Sequence, residues 1–449
     1  MMATKLNSVL TVVGAILFAA ALTIPIQANA AGKLVVVTSY PPDTTVTIGK
    51  AFEKATGIKT EMLKKKTTAG IKYLQATAAN NTSDMFWASA PDAFEVLKGD
   101  GLLQKYKVKV KGIPQKVGSF PINDPEGYYK GFAASGYGIM WNTRYLKAKN
   151  LPVPTKWSDL EKSIYYGHVG MSAPSRSGTT HLTVETLLQG EGWEKGWAMW
   201  KSIAGNFKSV TARSFGVPDG VNSGQFGVGV VIDFFGLSSK ASGFPVDFVY
   251  PKVTTLVPAN IAIVKNAPNP KAASAFIEFL LSPTGQGLLL DKKIMRLPVN
   301  PKTYAKAPKG FPNPFKDKSI GSAVKFDLQL SKSRYNVINS LFDVMVTYRL
   351  SELRAATKAI QAAEKQLMGK SNAKAKKMIQ QARALISKVP ISATKASEKS
   401  FNKIFKKKRK KKSVKVTGRQ AEFEQAWDTE VKANYAKAKA LAIKAASML

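Results

Sequence analysis

The sequence contains no cysteine and only two histidines, His168 and His181, in 449 residues. Disulfide staples, thiol catalysis and thiolate metal sites are therefore excluded, and imidazole-rich metal centres with them. A chain of this size can bury enough apolar surface without staples. Beyond the first thirty residues it also lacks any long apolar run, so no later segment reads as a membrane span. Acidic residues are scarce: 29 Asp and Glu stand against 67 Lys and Arg, a net charge of +38. That surplus suits anionic ligands, lipid headgroups or nucleic acid. No recognised nucleic-acid motif accompanies it, so nucleic acid is set aside. The sequence holds no G-x-S-x-G elbow, no G-x-x-x-x-G-K-[ST] loop and no H-E-x-x-H pair. With no nucleophile–base pair in view, the chain reads as a binding protein rather than an enzyme, with no cofactor and no metal.

What is present begins with a leader. Lys5, the apolar run Leu10–Ile26 and the small-x-small pattern Ala28-Asn29-Ala30 predict a cleaved secretion signal over 1–30, hence a periplasmic protein. From Leu34 the pattern alternates. Short apolar runs (Leu34–Val37, Ile58–Leu63, Asp84–Ala88) predict strands. Between them Thr44–Thr56 and Ala69–Ala79 have helical spacing, and Gly57 sits as a C-cap. Such alternation predicts a parallel α/β sheet. The Gly-rich stretch Phe132–Trp141 predicts a crossing into a second α/β series. That series has strands at Gly167–Ala173, Val228–Phe235 and Phe244–Tyr250, and helices at Ser177–Gln189 and Trp193–Gly205. Leu256–Val264 recrosses, and Ala272–Leu281 is an amphipathic helix. The expected architecture is two α/β lobes joined by a hinge, one formed by 31–135 with 257–325 and the other by 136–256. Bending is expected near Ala134–Gly136 and Val257–Pro258.

After about Lys325 the strands stop, and a C-terminal helical extension over 326–449 is expected. Val337, Leu341, Val344 and Tyr348 recur at three- and four-residue spacing and predict a face packed on the first lobe. A basic insert near 399–419 interrupts the helices and reads as flexible. Its dense run, Lys406–Lys412, reads as a solvated loop, with binding to anionic headgroups as the alternative.

The candidate ligand residues sit at strand-to-helix junctions, where open α/β sheets bind their ligands. Ser175, Arg176, Ser177, Gly178, Thr179 and Thr180 combine hydroxyls, a cation and a glycine at a helix start. Free N–H groups there, with the helix dipole behind them, suit an anion. An ordinary N-cap is the plain alternative. Ser39 with Tyr40, and Ser89, occupy similar junctions in the first lobe. His181 lies one turn into the Ser177 helix. Asp233 is the only acid in an apolar strand end, and it needs a donor, either a ligand group or a nearby cation such as Arg213.

Three stretches carry a resemblance to a known family: Lys33–Ile58, Ala267–Gln286 ending in Leu-Ser-Pro-Thr-Gly-Gln, and the Arg-Leu-Pro-Val-Asn-Pro of Arg296–Pro301. They resemble the extracellular solute-binding proteins of ABC transporters, type II fold, over about Lys33–Leu367. The branch includes binders of ferric iron, thiamine, 2-aminoethylphosphonate, hexose phosphate and phosphoglycerate. In the ferric binders a neighbouring Tyr pair holds the metal, whereas this chain has Phe234-Phe235 at that place. Phenylalanine has no ligating oxygen. The Tyr165-Tyr166 pair lies on another segment and reads as packing. The resemblance is therefore strongest to the phosphoglycerate and phosphonate binders, in which an Asp at the Asp233 position is expected. It implies a small anionic, phosphorylated or phosphonated ligand delivered to an ABC permease in the inner membrane. The alternative roles are presenting the ligand to a membrane sensor, as in phosphoglycerate-type regulation, or binding ferric iron.

Overall fold

The computed structural model describes residues 33–118, 120–321, 323–405 and 418–449. The leader read over 1–30 and the Lys406–Lys412 run lie outside them.

The first series alternates as its periodicity predicts: β1 (Leu34–Thr38), α1 (Pro42–Thr56), β2 (Thr60–Lys64), α2 (Thr67–Ala76), β3 (Met85–Ala88) and α3 (Pro91–Gly99). β1 is apolar and β-branched, the composition of a strand covered on both faces. A proline in the first turn of α1 gives up an N–H that has no helical partner there. Gly57, at φ 74°, ends the helix in the left-handed region and donates its N–H to the Glu53 carbonyl. Asp84 ties the edge together, accepting from the Val35 and Asn269 N–H groups at 2.8 and 2.5 Å.

The long strand β4 (Lys130–Asn142) is buried at every position. The second series follows: β5 (Val169–Ser172), α4 (Gly178–Glu191), α5 (Trp193–Gly205), β6 (Phe207–Thr211), β7 (Val228–Ile232), α6 (Asp233–Ala241) and β8 (Val246–Val249). β9 (Leu256–Val264) then returns to the first half, followed by α7 (Pro270–Leu281). The strand expected over Val228–Phe235 stops at Ile232. Asp233 opens a helix instead, its carboxylate accepting the Phe234 N–H at 2.7 Å. β6 was not foreseen, because Phe207–Thr211 mixes polar and apolar residues without a clear period.

The sheet runs β2-β1-β3-β9-β4-β7-β5-β6, with β8 and a short strand at Leu297–Pro298 also on β4. β1 pairs in parallel with β2 and β3, and β5 pairs in parallel with β7 and β6. β4 runs antiparallel through the middle and belongs to both halves. Its residues up to Gly136 pair with β9, and from Tyr137 onward it pairs with β7. The fold is thus the two-lobed, type II α/β architecture, and β4 changes lobe between Gly136 and Tyr137. The chain crosses back at 250–255, where the Thr254 hydroxyl donates to the Tyr137 carbonyl and accepts its N–H. Val257 and Pro258 lie beyond that crossing, in register with Ser135 and Ala134 inside the first-lobe sheet.

The C-terminal extension is helical: α8 (Leu328–Phe342), a π-helical turn at Asp343–Thr347, α9 (Leu350–Leu367), α10 (Ala373–Ser387) and α11 (Arg419–Ala446). Its apolar face packs on the second lobe, not the first. Val337, Leu341 and Val344 share one core with Trp197 and Trp200 of α5. Trp193 belongs to the same core, and covering this aromatic stripe favours the packing of the extension there. The insert is also less loose than expected at its start. Lys399–Ile404 is helical, and Phe405 stacks on Trp427 of α11 with ring centres 5.1 Å apart.

Candidate functional site

Five strands end at one cleft between the lobes. The first lobe contributes Ser39, Tyr40 and Pro41 after β1, and Lys66 and Thr67 after β2. The second contributes Arg176, Ser177 and Thr179 between β5 and α4, Arg213, Ser214 and Phe215 after β6, and Phe234 and Phe235 after β7. Each group stands at the carboxyl end of a strand, the position dictated by parallel α/β order. The walls carry three cationic side chains and several hydroxyls, and no carboxylate is among the lining residues. The lobes stand close together: the space between these walls is about 20 Å³, little more than one water. A larger groove of about 930 Å³ lies between β8 and residues 308–323, walled by Phe248, Pro251, Phe311 and Ile320. Only one strand, β8, ends in it, whereas five end at the smaller cleft, so the smaller cleft is the candidate site.

The predicted residues separate on this geometry. Ser39, Tyr40, Arg176, Ser177 and Thr179 line the cleft. The Ser177 hydroxyl accepts the Thr180 N–H at 3.3 Å, so it caps α4 as well as facing the cleft. Arg176 donates to the Thr211 carbonyl at 3.1 Å, which holds its guanidinium at the end of β6. Gly178 is a point of contact between lobes, since a Cβ there would stand 2.7 Å from the Ala90 Cβ and 2.9 Å from a Thr67 methyl. Ser175 is turned toward Asp343 of the extension.

His181 does not reach the cleft. It is fully buried, with Nε2 3.2 Å from Asp92 of α3 and Nδ1 3.1 Å from the Asn339 side chain of α8. Its position one turn into α4 faces the first lobe and the extension, away from the strand ends. Burial pushes the Asp92 carboxyl up to about 8 and the His181 imidazole down to about 4, so the pair holds a single proton near neutrality. Asp233 meets protein donors: Gly136 N–H at 2.7 Å, Tyr250 hydroxyl at 2.9 Å and Phe234 N–H at 2.7 Å. None of them is Arg213. Burial raises its pKa to about 6, against those hydrogen bonds. Asp233 therefore braces the two lobe crossings.

Ser89 leads to a residue the sequence reading passed over. Its hydroxyl lies 3.4 Å from Nη2 of Arg296, whose side chain is 0 % exposed. The guanidinium lies over the Phe234 ring at 3.7 Å and the Tyr40 ring at 4.3 Å. Lys66, Thr67 and Ser214 were also missed, and Arg213, expected only as a possible partner of Asp233, lines the cleft. The strand-end rule finds Arg213 and Ser214 once β6 is recognised. Nothing local in Arg-Leu-Pro-Val-Asn-Pro marks Arg296, which only the tertiary fold brings beneath the cleft.

The family described as bacterial extracellular solute-binding protein matches residues 80–321. The phosphoglycerate transport regulatory protein PgtC of Salmonella typhimurium is 29 % identical over 82 % of this chain and 88 % of its own length. Among solved structures, the periplasmic binding protein AfuA of Actinobacillus pleuropneumoniae, with fructose-6-phosphate bound, superposes with a TM-score of 0.62. It is 22 % identical, covering 69 % of this chain and 98 % of that one. The apo ferric ion-binding protein A of Pasteurella haemolytica gives 0.56 at 18 % identity, covering 70 % and 97 %. These likenesses show the same two-lobed fold.

Proposed function

The chain belongs to the bacterial extracellular solute-binding proteins, and on that premise we propose that its cleft captures a small phosphorylated or phosphonated organic anion and delivers it to a membrane permease. The observation that carries this reading is the cleft wall, where Lys66, Arg176 and Arg213 converge with hydroxyls and the α4 amino end and the lining itself includes no carboxylate; Asp343 of the extension, outside that lining, lies near Arg176. Backbone N–H groups at that helix start supply donors that suit phosphate oxygens. Phe234 and Phe235 offer no ligating oxygen. The Tyr165 hydroxyl is turned away, donating to the Pro152 carbonyl at 2.7 Å. The ligands in the names of PgtC and AfuA fit the same chemistry.

The expected order is phosphoglycerate or hexose phosphate first, aminoethylphosphonate second and ferric iron last. Calorimetric titration with 3-phosphoglycerate, fructose 6-phosphate, 2-aminoethylphosphonate and ferric citrate tests it. Saturable one-to-one binding of one of the first three is the expected result. Ferric binding with a phenolate-to-iron absorption band, and silence from the other three, overturns the proposal. A second reading, presentation of the ligand to a membrane sensor, is favoured by the regulatory role in the name of the Salmonella relative. Neighbouring genes for a histidine kinase, without permease and ATPase subunits, select it.

A further inference from the structure

We propose that Arg296 forms a second, deeper subsite that reads an acidic group on the ligand, so that the preferred solute is a small phosphorylated carboxylic acid rather than a phosphorylated sugar or polyol. This rests on the cleft mouth holding the phosphate.

The guanidinium of Arg296 is completely buried, and only Nη2 has a contact, the long one to Ser89. Nε and Nη1 have no hydrogen-bond partner among the described residues, nor does the buried Tyr137 hydroxyl. A buried cation with unmatched donors is costly unless an acceptor reaches it. The nearby carboxylate of Asp233 is turned to Gly136, Phe234 and Tyr250 and makes no hydrogen bond to the guanidinium. It contributes charge at a distance.

The surroundings select the acceptor. Tyr40 of the first lobe and Phe234 of the second cover the guanidinium with their ring faces, and both rings also line the cleft. Rings favour a cation over their faces but satisfy none of its in-plane donors. The edge of the fork is what remains to be matched, and a planar two-oxygen group matches it side-on. Ser89 and the Tyr137 hydroxyl add further donors to the same floor. Because the two covering rings come from opposite lobes, separation of the lobes uncovers the guanidinium and closure buries it with its guest.

The test compares 3-phosphoglycerate with glycerol 3-phosphate, which differ only in the carboxylate, by calorimetry on the wild-type chain and on Arg296→Gln. The wild type is expected to prefer the acid by at least tenfold. In Arg296→Gln that preference falls to within about twofold. Ser177→Ala weakens both compounds alike and leaves the preference standing. Equal wild-type affinities overturn the inference without any variant, so a misfolded Arg296→Gln does not protect it. A preference that survives Arg296→Gln overturns it too. Failure of the wild type to bind either compound overturns this subsite; the phosphate reading of the cleft falls with it only when fructose 6-phosphate and 2-aminoethylphosphonate also fail to bind.

Discussion

Gly178 shows how one missing side chain serves motion. From sequence, the glycine next to Ser177 reads as room for the backbone to approach an anion. In the structure the room is filled by the opposite lobe, with Ala90 and Thr67 inside 3 Å of where a Cβ would sit. Both contacts are across the cleft, so a larger residue blocks closure rather than folding of either lobe. Gly178→Val is expected to weaken ligand binding by tenfold or more and, because Gly178 is buried against Ala90 and Thr67, to lower the melting temperature of the ligand-free protein as well. Small-angle scattering at saturating ligand should show a larger radius for the variant than for wild type. Wild-type affinity in Gly178→Val would return the glycine to a purely local role.

At the scale of elements, the decisive feature is the pair of lobe crossings in β4 and at 250–255. Asp233 ties them from the start of α6, bonding Gly136 of one crossing and Tyr250 of the other. Asp233→Ala strands two buried N–H groups and a phenol, and is expected to destabilise the chain by about 3 kcal/mol in urea titration. An affinity loss with no loss of stability would instead place Asp233 on the ligand. How much of this was legible follows from the kind of signal each element carries. β1, α1, α5 and β9 have strong periodicity and clear caps, and their bounds are nearly readable in the one-dimensional pattern. β6 has neither, and the stop of β7 at Ile232 depends on a carboxylate folding back on its own backbone. The strand-end junctions at Ser39 and Ser177 followed from alternation alone. His181 and Arg296 did not, because their surroundings come from distant segments, Asn339 for His181 and Ser89 for Arg296 among them.

For the whole molecule, the extension is a working part of the two-lobed body. α8 touches both lobes: Ser331 donates to Asp92 at 3.1 Å, Arg334 forks onto Glu185 at 2.8 and 2.6 Å, and Asn339 meets His181. Asp92 and His181 thus join first lobe, second lobe and extension at one buried point, with the Tyr335 ring tilted over His181 at 4.3 Å. The pair keeps one proton from about pH 4 to about pH 8, while the unfolded chain, with ordinary Asp and His values, has released it above about 6.5. Between pH 6.5 and 8 the folded state therefore binds more protons than the unfolded state, and stability falls as pH rises. The expected loss is about 1–2 kcal/mol across that window. Asp92→Asn, which keeps the shape without the titrating proton, should abolish this part of the slope in urea midpoints taken at pH 6 and 8.5. An unchanged slope would mean the pair titrates as it does in the unfolded chain.

The strap of α8 also sets a tempo. The space of about 20 Å³ between the walls admits no phosphorylated solute while the lobes are together, so arrival and departure both pass through an open form. Opening is expected to break hydrogen bonds that α8 makes to one lobe or the other, and that barrier is the same whichever way the solute is travelling. Kinetically this is a symmetric toll: it lengthens the wait before capture and the dwell after it, and leaves the equilibrium constant to the ligand's own contacts. A solute-binding protein so built is expected to exchange slowly with a fluctuating pool, its occupancy following the average level of solute over time rather than each passing rise and fall.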